Sequence, residues 1–132
     1  SRGLGDVYKR QVIEIEEIKE GKAFTLNDIL YESNSSQLKE TSKIVLDGLI
    51  DWLKKSNDIK IEIQGHTDDI GPDESNLALS MDRAFNVMEY LLINGIEKDR
   101  LRFKGYGETN PKVPNNSSKS RAINRRTDFL IF

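Results

Sequence analysis

Cysteine is absent from this chain, which excludes disulfides and thiolate metal sites outright. That absence is silent on compartment, because a domain of 132 residues can be stable without a covalent staple. Long apolar runs are missing as well. The longest, about Val87 to Ile93, is interrupted by Glu89. It falls far short of the roughly 20 residues that a membrane-spanning helix needs. No secretory leader is read at Ser1. Neither sign of charge is in large excess: 20 Lys and Arg stand against 22 Asp and Glu, for a formal net charge of −2. The sequence has no internal repeat and no low-complexity tract. Its glycine pairs, Gly65 with Gly71 and Gly105 with Gly107, complete neither GxGxxG nor a Walker loop, and turn geometry accounts for them.

What is present fits one soluble globular domain, with 36% hydrophobic and 32% charged residues. Residues 1–11 (SRGLGDVYKRQ) show little periodicity and are expected to be a non-native or disordered lead. Residues 12–22 read as a linker or edge strand, since VIEIEEIK partly alternates apolar and acidic positions. The domain proper is expected over 23–132. Phe24 to Tyr31 reads as a strand with a possible bulge near Asn27. Ser35 or Ser36 is placed to cap the following helix. There Leu38, Val45, Leu49 and Trp52 recur at helical spacing to about Lys55, with Ile44, Leu46 and Leu53 widening the stripe. Lys60 to Gln64 alternates as a half-buried strand ended by Gly65. In a second helix Ala84, Val87, Met88, Leu91 and Leu92 form one apolar face, and Asn94-Gly95 stops it. Leu101 to Lys104 reads as a short strand closed by Gly105, Ser120 to Asn124 as a helical turn, and Thr127 to Phe132 as a last strand. The expected fold is α/β: a two-layer sandwich with a βαβαββ-type mixed sheet and two main helices packed on one face.

Charge is uneven along the chain. From Arg100 to Arg126 there are eight Lys and Arg and a single acid, Glu108. Asn76, Ser80 and Arg83 share one face of the second helix, at i, i+4 and i+7. Asp68 lies in the loop that enters that helix. A carboxylate binds an ammonium and a guanidinium fork binds a carboxylate, so the set suits a zwitterion. On spacing alone a structural ion pair or two solvated surface charges is the simpler reading. His66, the only histidine, has Asp68 and Asp69 nearby but no elbow motif around Ser75 or Ser80. It reads as a structural residue that hydrogen-bonds and holds its loop. A small hydrolase using His66 and Asp68 is one alternative function. Nucleic-acid binding through the basic C-terminal third is another, weakened because only Tyr106 offers an aromatic platform.

Several segments resemble the OmpA C-terminal family, which includes OmpA, Pal and the periplasmic part of MotB-type motor proteins. They are ILYESNSSQL (29–38), GHTDDIG (65–71), NLALSMDRA (76–84), RLRFKGYGETNP (100–111) and SRAINRRTDF (120–129). The resemblance implies a non-catalytic domain that binds peptidoglycan through the meso-diaminopimelate of the stem peptide. By motif position it assigns the ligand's ammonium to Asp68 and its carboxylate to Arg83. It brings Arg125 to the ligand and puts Asn34, Asn76 and the backbone from Thr67 at the pocket wall. It implies no metal, no cofactor and no nucleic-acid partner. It also implies a location on the periplasmic side of the outer membrane, in a parent protein associated with a membrane through an upstream region. The sequence departs from common family residues at Tyr31-Glu32, Ile70 and Thr127-Asp128.

Overall fold

The computed structural model describes residues 21, 23–26, 29–31 and 35–132. The expected lead 1–11, the edge strand within 12–22, the bulge at Asn27 and the site residue Asn34 lie outside them. The order is β1 (Ala23–Thr25), α1 (Glu40–Lys55), β2 (Ile61–His66), α2 (Asp73–Ile93), a 3-10 turn (Lys98–Arg100), β3 (Leu101–Gly107), α3 (Ser118–Asn124) and β4 (Arg126–Ile131). The sheet runs β1-β4-β2-β3. β2 and β3 are parallel and joined by the α2 crossover, while β4 is antiparallel to both β1 and β2. The result is an α/β sandwich on a four-stranded mixed sheet. The helical turn expected near Ser120 is a third, short helix.

One hydrophobic core joins the sheet to the helices. Ile61, Ile63, Phe129 and Ile131 from the sheet meet Leu46, Leu49 and Leu53 of α1 and Ala84, Val87 and Leu91 of α2. Phe24 stacks on Phe129 with ring centroids 5.6 Å apart, which seats β1 on β4.

The structure corrects the reading from periodicity in several places. β1 stops at Thr25, and Tyr31 makes only an isolated bridge to Leu38. Leu26 and Ile29 are both buried, a spacing that does not keep a strand's two-residue alternation. Neither Ser35 nor Ser36 caps α1. Lys39 is the N-cap, without a side-chain bond, while the Ser35 hydroxyl accepts from the Gln37 amide at 3.0 Å in the turn before it. The Ser42 hydroxyl donates instead to the Leu30 carbonyl (2.8 Å), which ties the first turn of α1 to 29–31. Ile44 is exposed rather than part of the stripe.

β2 is buried on both faces, not one. As a central strand it has neighbours on both sides whose side chains cover Glu62, Gln64 and His66. Arg102 pairs with Glu62 at 2.7 Å, and Gln64 donates to Glu62 at 2.8 Å.

Two glycines expected to act as turn residues act through packing. Gly65 and Gly105 lie opposite each other in the β2–β3 pair and extend those strands beyond their expected ends. A Cβ on Gly65 would stand 2.1 Å from the Ser80 carbonyl oxygen, and one on Gly105 would stand 2.5 Å from the Met81 amide nitrogen. The two bare positions let the α2 backbone touch the sheet. Gly71 (φ +93°) does use the left-handed region in the loop that leads to α2.

Candidate functional site

The loop after β2 is pinned before it reaches α2. The Thr67 amide donates to the Gly107 carbonyl (2.8 Å), so it is fastened to the end of β3. The Thr67 hydroxyl donates to the Asp68 carbonyl (2.9 Å). Asp68 is buried, and its Oδ1 accepts from the Ile70 amide at 2.9 Å in an Asx-type turn. From the first turn of α2, Asn76 donates to the Ile70 carbonyl (3.0 Å) and more weakly to the Asp68 carbonyl (3.5 Å). Asn76 therefore shapes the acidic loop, and its amide donors are already engaged.

A cavity of about 540 Å³ opens beside this loop, lined among others by Thr67, Asp68, Asn76, Arg83 and Arg125. Five of the six expected site residues thus share one cavity, and Asn34 lies outside the described residues. Ser80, grouped with Asn76 and Arg83 by helical spacing, does not face it. It is fully buried under α2, where its hydroxyl donates to the Leu77 carbonyl and accepts from the Gly107 amide, both at 2.9 Å.

Arg83 projects from the middle of α2. Its Nε donates to the Ser35 carbonyl (2.9 Å), and its guanidinium lies 4.7 Å from the centroid of the Tyr31 ring. Tyr31 is in turn held by a 2.8 Å hydrogen bond between its hydroxyl and that of Thr127, and burial pushes its phenol up to about 12. Burial lowers the pKa of Arg83, Tyr31 raises it, Arg125 lowers it and Asp68 raises it. Among the described residues no carboxylate lies within ion-pair distance of Arg83. Arg125, at the C-terminal cap of α3, reaches across the cavity and bonds Asp68 Oδ2 through Nη1 at 2.6 Å. A buried acid, a half-buried guanidinium without an acid partner and a half-exposed one with such a partner thus face the same space. Their chemistry suits a ligand with both an ammonium and a carboxylate.

Reasoning from spacing missed Tyr31 and Arg126. Tyr31 is the platform under Arg83, and the only signal for it was an aromatic in the 29–38 segment. Arg126, the second arginine of the INRR run, bonds Asp128 Oδ2 at 3.0 Å and lines the cavity. His66 also differs from expectation. Neither of its ring nitrogens has a hydrogen-bond partner among the described residues. The ring instead stacks on Tyr106 with centroids 5.1 Å apart, and Nε2 lies 3.6 Å from Asp128 Oδ2. Burial and the neighbouring Arg126 lower its pKa to about 4 against an opposing pull from Asp128. The imidazole is therefore neutral at neutral pH. Among the described residues no group of three His, Cys, Asp or Glu could hold a metal ion, and no helix is long and apolar enough to cross a membrane.

A mixed sheet carrying an acid and two arginines around one cavity defines an α/β domain with a pocket of both charge signs. The model of the OmpA family matches residues 30–125, and the chain belongs to that family. It is 35% identical over 104 residues to outer membrane porin F of Pseudomonas fluorescens, covering 79% of this chain and 32% of the relative. It is 31% identical over 109 residues to the peptidoglycan-binding protein ArfA of Mycobacterium bovis, covering 83% of this chain and 33% of the relative. The chain thus spans about a third of the length of these curated relatives. Its fold superposes on the crystal structure of the periplasmic domain of Helicobacter pylori MotB with a TM-score of 0.75 and 26% identity, over 87% of this chain and 78% of that one.

Proposed function

We propose that this domain binds peptidoglycan without covalent chemistry, gripping the ammonium and carboxylate at the side-chain end of meso-diaminopimelate in the stem peptide. Asp68 takes the ammonium, and Arg83 takes the carboxylate. Arg125 reaches the ligand from the opposite wall, and Asn76 and Thr67 hold the loop that carries Asp68. The domain thereby holds a longer parent protein, membrane-associated through another region, to the wall on the periplasmic side of the outer membrane. The observation that carries this reading is the convergence of Asp68 and Arg83 on one cavity, with Arg83 lacking an acid partner among the described residues. The family's relatives include a protein named for binding peptidoglycan.

The hydrolase alternative has less support. The His66 imidazole is stacked on Tyr106, and the nearby Ser80 hydroxyl is committed to backbone partners. Neither group forms a nucleophile–base pair.

Sedimentation with purified diaminopimelate-type peptidoglycan tests the proposal. Asp68→Ala and Arg83→Ala should each weaken retention by about 2 kcal/mol, roughly thirtyfold, because each removes a charge-assisted contact. Thermal unfolding of the variants confirms that they are folded. Retention of both at the parental level would refute the assigned site.

A further inference from the structure

The free site is not an open one. Asp68 is already neutralised by Arg125, whose Nη1 stands 2.6 Å from Oδ2, while the second carboxylate oxygen is held by the Ile70 amide. An incoming ammonium therefore competes with a guanidinium for that carboxylate. Arg125 can leave. Its side chain is 49% exposed, and Asp68 is the one acid within ion-pair distance of it among the described residues. Arg83 cannot act as the competitor, being fixed to the Ser35 carbonyl and to the Tyr31 ring. The other charges near the cavity cancel in pairs, Arg126 with Asp128 and Arg121 with Asp69. His66 is neutral. The three site groups, Asp68, Arg83 and Arg125, thus carry one positive charge in excess.

We infer that Arg125 is a specificity-determining residue that acts by exchange. It blocks Asp68 against ligands that bring an ammonium alone, and it is compensated when the ammonium arrives with an adjacent carboxylate. This inference rests on the binding reading above. An ammonium without a neighbouring carboxylate trades one ion pair for another and strands Arg125 in solvent, so it gains little. An ammonium with a carboxylate on the same carbon releases Arg125 from Asp68 and gives it a new partner beside Arg83. Discrimination then comes from the cost imposed on the wrong ligand as much as from attraction to the right one.

Two peptides isolate the effect: L-alanyl-γ-D-glutamyl-meso-diaminopimelate and its L-lysine analogue, which lacks only the carboxylate next to the side-chain ammonium. Calorimetry should give the parent domain a clear preference for the first. Arg125→Gln should bind the lysine analogue about fivefold more tightly than the parent does, the size expected of a half-exposed ion pair. Its affinity for the diaminopimelate peptide should stay level or fall. Arg125→Lys, which keeps a cation beside Asp68, should not gain affinity for the lysine analogue. A residue with only a structural role cannot raise affinity for one ligand alone. If Arg125→Gln binds the lysine analogue no better than the parent, while Arg83→Ala still loses the diaminopimelate peptide, the exchange is overturned and the binding reading stands. If the parent binds neither peptide, both are overturned.

Discussion

His66 is a single residue with a measurable cost. The residue is 4% exposed, its ring is stacked on Tyr106, and its pKa is lowered to about 4, first by burial. The unfolded chain titrates the same ring near the ordinary value of about 6.5. Between those two values the unfolded state binds the extra proton and the folded state does not. Stability should therefore be full above about pH 6.5, fall as the pH drops toward about 4, and gain no further loss from this group below that. Urea midpoints measured across this window check the claim. His66→Phe keeps a stacking ring without a proton site, so its midpoint should fall less steeply with acid than the parent's. Parallel slopes would show that other groups govern the acid limb. The sequence reading expected this residue to hydrogen-bond and hold its loop, and neither ring nitrogen has a hydrogen-bond partner among the described residues. A hydrogen-bonded and a stacked histidine look alike in sequence, and only the register that places His66 beside β3 brings Tyr106 to it.

At the scale of elements, the seating of α2 on the sheet depends on what two strands lack. The Ser80 carbonyl and the Met81 amide occupy the space where side chains of residues 65 and 105 would stand. Gly65→Ala and Gly105→Ala should each destabilise by about 3 kcal/mol through overpacking against backbone, which cannot rotate away. Gly95→Ala is the contrast. Its Cβ would meet only the flexible end of Lys54 at 3.6 Å, and its φ of +98° should cost about 1 kcal/mol. Chemical denaturation separates the two cases, and equal losses at all three positions would count against the packing account. Periodicity found both long helices, and Asn94-Gly95 marked the end of α2. It missed the early stop of β1 and the start of α1, because those boundaries follow from contacts distant in sequence. One is the antiparallel pairing of 23–25 with 128–130, and the other is the tie of Ser42 to Leu30.

At the scale of the molecule, most cations of the basic C-terminal third sit beside acids. Of the eight Lys and Arg between Arg100 and Arg126, five have acid partners among the described residues: Arg100 with Glu97, Arg102 with Glu62, Arg121 with Asp69, Arg125 with Asp68 and Arg126 with Asp128. Folding carries the acids of 62–69 to the arginines of 102–125. A field that looked one-signed along the chain is largely cancelled in space. Fluorescence anisotropy with a short DNA duplex at about 0.15 M salt should therefore give a dissociation constant no tighter than ~10⁻⁴ M, the weak end of non-specific binding. A tighter complex with steep salt dependence would restore the nucleic-acid reading.

Sequence by itself determined the α/β class, the two amphipathic helices and the family, because those rest on local periodicity and on motifs that are contiguous in the chain. Residue type and spacing singled out Asp68 and Arg83, and the family resemblance added Arg125; all three line one cavity. Tertiary structure decided which of them meet. Asp68 and Arg125 are 57 positions apart and Arg83 and the Ser35 carbonyl 48 apart, separations that no local pattern reports. The same folding removed Ser80 from the site and revealed the Tyr31 platform. It also made Arg125 the standing counterion of the acid that was expected to wait for a ligand, because a buried carboxylate without a partner is costly and the nearest free guanidinium takes the place.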